Sequence, residues 1–162
     1  MRNGPLVRWF LFCFIALPTI ALADSPRDLH MRITFKNPNS YSVPLVVKNA
    51  NRSGRLECDS DPRTIRWVDA GGSANLKCVA YSERGTALIA PGYARNVTLS
   101  WETDPRARRV VPTDGYLQVK ESNHDFTCRK GCEITQDWGK CGASGQCSVN
   151  IQIRFDHVEY KP

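Results

Sequence analysis

The residues best equipped for recognition fall in two stretches of the 162-residue chain. One is the arginine cluster Arg106, Arg108 and Arg109, in the segment between Pro105 and Pro112. Planar guanidinium forks grip carboxylate, sulfate or phosphate groups through paired hydrogen bonds, so a loop carrying three of them is a candidate ligand-facing patch. The plain alternative is a solvated loop. The other stretch runs from Cys128 to Cys147, where Cys128, Cys132, Cys141 and Cys147 lie among Gly131, Gly139, Gly142 and Gly145. Trp138 sits inside it between Asp137 and Gly139, and no strand pattern surrounds it. Its indole is either a contact for a ligand or a cover for the cross-links around it.

Catalytic constellations are sparse. His30, His124 and His157 are far apart in sequence and lie in none of the spacings that bind zinc or serve a nucleophile. A two-histidine acid/base mechanism needs both imidazoles across one cleft beside a cation, and His124, His157 and Lys130 are the trio to examine for it. Ser144 lies in Gly142-Ala143-Ser144-Gly145, which is a spacer and not a nucleophile turn. No pair of carboxylates stands out by spacing. A non-catalytic protein is therefore expected, with no cofactor.

Outside Cys13 the chain has six cysteines, an even number, and in an exported protein that pattern reads as disulfides. Leu56 and Cys58, like Leu76 and Cys78, share one face of an alternating strand, which favours a Cys58–Cys78 bridge. Cys128, Cys132, Cys141 and Cys147 are expected to staple a loop over 128–147, their pairing left open. A four-thiolate zinc site would want paired C-x2-C knuckles, which this spacing lacks, so no metal is expected.

Export is itself read from the first 23 residues. Arg2 and Arg8 precede an almost wholly apolar run from Trp9 to Leu22, and Ala21-Leu22-Ala23 has the small-x-small pattern of a cleavage site. The run is short and broken by Pro18, hence a removable signal and not a stable membrane anchor. Residues 24–162 then form a single domain with 20 basic and 16 acidic side chains. That modest excess is too dilute for the concentrated basic face nucleic acid requires. Asn51-Arg52-Ser53 and Asn96-Val97-Thr98 match the glycosylation acceptor pattern, relevant in a eukaryotic host.

The elements that must carry these residues are strands. Met31, Ile33 and Phe35 alternate with polar neighbours, as do Val97, Leu99 and Trp101, and Val149, Ile151, Ile153 and Phe155. Shorter strands are predicted at 43–47, 55–58, 64–69, 75–81 and 116–120. Pro44 puts the second at a sheet edge or starts it later, and Ala70-Gly71-Gly72-Ser73 suits a hairpin or tight connection. No helical stripe competes. About seven or eight short strands predict an all-β, disulfide-stabilised β-sandwich, with a barrel as the runner-up. The resulting reading is a secreted or periplasmic binding module for a protein or an anionic glycan. Next come an inhibitor or effector that plugs a partner's site with the Cys128–Cys147 loop, and then a small hydrolase using His124 and His157.

Overall fold

The computed structural model describes residues 28–49, 55–59, 65–81, 97–120, 123–139 and 146–159. The proposed signal at 1–23, Cys141 and both acceptor asparagines lie outside them. Ten strands form two sheets: β1 (Asp28–Lys36), β2 (Val43–Asn49), β3 (Arg55–Cys58), β4 (Ile65–Val68), β5 (Ser73–Tyr81), β6 (Val97–Thr103), β7 (Asp114–Lys120), β8 (Asn123–Lys130), β9 (Cys132–Trp138) and β10 (Gln146–Phe155). The first sheet has the order β3-β5-β1-β10-β9 and the second β4-β2-β6-β7-β8. They pack face to face as a sandwich. The sheets do not close into a barrel.

Alternation produces this layering directly. Met31, Ile33 and Phe35 from β1 and Val149, Ile151, Ile153 and Phe155 from β10 are buried from one side, and Leu45, Val47, Leu99 and Trp101 from the other. β1 and β10 pair in parallel, which brings both ends of the domain to the centre of the first sheet. Phe35 meets Trp101 edge-on across the layers, ring centroids 6.0 Å apart. Gly115 faces Trp101 on the neighbouring strand. A Cβ there would lie 2.3 Å from the indole, so only glycine leaves room for the ring.

Two expectations change. Residues 128–147 are not one stapled loop, because among the described residues they include the end of β8, all of β9 and the start of β10. Pro44 lies within β2, an interior strand and not an edge. Its carbonyl accepts from the Asp104 N–H where β6 has ended, so its missing donor faces no rung of the ladder. Of the two readings of Ala70-Gly71-Gly72-Ser73, the tight connection holds: the turn closes with the Gly72 N–H on Asp69 O at 2.9 Å and carries the chain from β4 in one sheet to β5 in the other.

Cys58 and Cys78 are directly opposed on β3 and β5 and are bridged. Cys128 is bridged to Cys132 across the β8–β9 turn, tying an edge of one sheet to an edge of the other. Cys147 is also disulfide-bonded. Oxidised cysteines of this kind persist in oxidising compartments, which points to an extracytoplasmic location. No helix among the described residues is long and apolar enough to cross a membrane.

Candidate functional site

One end of the sandwich gathers the connections β1–β2, β4–β5, β6–β7 and β8–β9. Its hub is a pair of buried asparagines. Asn37 Nδ2 reaches the carbonyls of Tyr41, Val68 and Asp69 at 2.7, 3.0 and 3.1 Å. Asn37 Oδ1 accepts from the N–H and Nδ2 of Asn39, whose own Oδ1 accepts from the Val158 N–H. Buried amides satisfied in this way fix backbone positions that no apolar contact would specify.

The β6–β7 connection rises from this base. At its foot the Thr103 N–H donates to Thr113 O at 2.8 Å, the Thr113 N–H to Thr103 Oγ1 at 2.8 Å, and Thr103 Oγ1 to Val111 O at 2.9 Å. Val111 and Thr113 are buried. Asp104 is nearly buried too, and accepts from the Arg106 N–H, Nε and Nη2 at 2.9, 3.2 and 3.1 Å. The Arg106 side chain, followed by its backbone N–H, holds the Asp104 carboxyl below its ordinary value, and the same contact raises Arg106. The Asp104 carboxylate thus closes the Asp104-Pro105-Arg106 turn.

Beyond this foot Arg108 and Arg109 are exposed, and neither has an ion-pair partner among the described residues. Arg109 adopts a left-handed backbone, φ 56°, which bends the tip back toward its base. The β8–β9 turn stands behind. Gly131 also has positive φ, and a Cβ on it would lie 2.3 Å from Pro112 O, so the disulfide-tied turn packs directly on the descending arm of the arginine loop. Arg129 donates to Asp114 at 3.1 Å and covers the Tyr116 ring, and the Tyr116 hydroxyl donates to Asp125 at 2.7 Å. The arginine loop is thus ordered at its foot and braced along its descending arm.

The structure separates the remaining candidates. Trp138 ends β9 at the other end of the sandwich, about 20 Å of strand away from the Cys132 turn. It is half-buried and lies parallel to Phe126 at 6.0 Å, with His124 at 4.4 Å. These rings fill the gap between the edge strands β8 and β9, a strand setting for Trp138 that the sequence reading missed. Arg106, Arg108 and Arg109 are together; Trp138 is not with them. His157 follows β10 near the Gly131 turn, whereas His124 begins β8 at the far end, so His124, His157 and Lys130 form no common cleft. No group of three potential metal-binding side chains occurs among the described residues.

Trp67 has no role in the sequence analysis above. It is 62% exposed on β4, the exposed large apolar side chain among the described residues. Trp67 is the cross-strand neighbour of Pro44, whose carbonyl binds the Asp104 N–H at 2.9 Å. The indole therefore stands on the same end and sheet as the root of the arginine loop, two strand spacings away, about 10 Å.

No family model and no curated protein sequence matches the chain. Among solved structures, the crystal structure of IP-1A from Alcaligenes faecalis is similar at 13% sequence identity. The match covers 85% of this chain and 96% of that one, with a TM-score of 0.44. A likeness this distant carries no inference about partner or activity.

Proposed function

We propose that the chain is an exported, non-catalytic protein-binding module of the inhibitor type, which acts by holding the rigid loop 104–113 against an acidic cleft or patch of a protein partner. The observation that carries this reading is the contrast within one loop. Asp104, Thr103, Val111 and Thr113 order its foot, while Arg108 and Arg109 stand exposed without ion-pair partners among the described residues. A loop already fixed before docking loses little conformational entropy on binding. Arginine and tryptophan are also the side chains that most often dominate protein interfaces.

Export follows from the signal-like residues 1–23 together with the disulfides. The docking role assigned to 128–147 by its cysteines passes in this reading to the arginine loop, with the Cys128–Cys132 turn as its support. Steering by the arginines makes association faster at low salt.

Capture from the extracellular fluid or periplasm on immobilised protein tests it. A specific band that resists glycan removal, weakens as salt rises, and is lost with Arg108→Glu/Arg109→Glu is expected. A band that disappears on deglycosylation, or that survives the double charge reversal, contradicts the reading.

A further inference from the structure

We infer that the edge of β4, unpaired among the described residues, is the second half of this docking surface and receives an extended, acidic segment of the protein partner as an added strand of the second sheet. The inference rests on the reading of the chain as a protein-binding module. β3, β4, β8 and β9 are the sheet edges, and three of them carry charge on the outer face: Glu57 on β3, Asp125 and Arg129 on β8, Glu133 and Asp137 on β9. Charged side chains are the usual guard against strand addition. β4 has Trp67 there instead, 62% exposed.

The inner face of β4 supplies an independent sign. Arg66 Nη1 donates to Asn75 O at 3.1 Å, bridging the two sheets. Its Nε and Nη2 are buried and have no acceptor among the described residues. Buried donors without acceptors are costly, and a carboxylate is the acceptor whose shape fits two guanidinium N–H groups.

Strand addition delivers one. Residues opposed across a ladder share a face, so the residue placed opposite Arg66 lies on the inner side, beside the orphan donors. The residue opposite Trp67 lies outside, against the indole. The matching segment therefore alternates, acidic toward Arg66 and apolar toward Trp67. Backbone hydrogen bonds to the edge supply affinity, and these two positions supply selectivity. Arg108 and Arg109, on the neighbouring loop, attract the same negative segment. A second copy of this chain would bring Arg66 against Arg66 and has no carboxylate at that register, so a partner is favoured over self-pairing.

The probe is a capped heptapeptide alternating glutamate with valine, with a lysine-for-glutamate counterpart, added to the full chain and followed by amide exchange. The glutamate peptide is expected to slow exchange at residues 65–68. Trp67→Ala should weaken it about tenfold without altering the fold, since the indole is exposed. Arg66→Leu should erase the preference for glutamate over lysine. Absence of slowing at 65–68, equal binding of both peptides, or slowing that tracks a concentration-dependent dimer in sedimentation would overturn the inference. If partner capture is lost with Arg108→Glu/Arg109→Glu but unchanged with Trp67→Ala, strand addition fails while the binding-module reading stands.

Discussion

Asp104 closes on Arg106 with three hydrogen bonds, one from the backbone and two from the guanidinium, so one of the three clustered arginines is already paired although its side chain is 79% exposed. In the proposed reading Arg106 orders the loop, and Arg108 and Arg109, exposed and without ion-pair partners among the described residues, make the contacts.

A pH dependence follows. The Asp104 carboxyl is held below its ordinary value, mainly by the Arg106 side chain. Its bonds therefore contribute fully above the unfolded aspartate value, about 3.9, and are lost as acid protonates the folded group below that. Amide exchange at Arg106 and Ala107, corrected for the intrinsic rate, should accelerate as pH falls under about 4. In Asp104→Ala, which removes the acceptor altogether, it should already be fast at neutral pH and insensitive to acid.

Gly115→Ala tests the core. Its methyl group would lie 2.3 Å from Trp101, which is buried, and 2.5 Å from the backbone oxygen of Thr127. Overpacking of this kind should lower the unfolding free energy by about 2 kcal/mol, measured by urea titration. A neutral result would mean that the indole has room to move.

The two bridges should separate by role. Cys58–Cys78 spans 20 residues and Cys128–Cys132 spans 4, so their removal as double alanine variants should cost about 3 and about 2 kcal/mol by loop closure. The smaller global loss should come with the larger local one. Without Cys128–Cys132 the Gly131 turn no longer braces Pro112, and amide exchange across 105–110 should quicken while β1 and β10 stay protected.

Asn37→Ala removes the side chain that links three carbonyls and positions Asn39. With buried acceptors left unpaired, a loss of about 3 kcal/mol in urea is expected.

The centre of the fold was legible in sequence because β1, β6 and β10 bury one complete face each, and their alternation is unbroken. β8 and β9 were missed for the opposite reason. As edges they need only partial cover, and their inner positions are His124, Phe126 and Cys128, and Cys132, Ile134, Gln136 and Trp138, too polar to alternate clearly. The Cys58–Cys78 bridge could be read because each cysteine follows a leucine on the same face. The arginine cluster was visible as composition, but its anchoring depends on Thr103 meeting Thr113 and Pro112 meeting Gly131, contacts between segments that no local pattern encodes. Trp67 lay hidden because exposure at a sheet edge depends on strand order, and strand order is not written in β4.

The most direct measurement is an amide-exchange footprint of the chain bound to its captured partner. Protection concentrated at 105–110, joined by 65–68 where the partner adds its strand, with the His124, Phe126 and Trp138 end unchanged, is the result expected. Protection centred on Trp138 or on the outer face of β1 and β10, with the arginine loop exchanging as freely as in the unbound protein, would contradict the account.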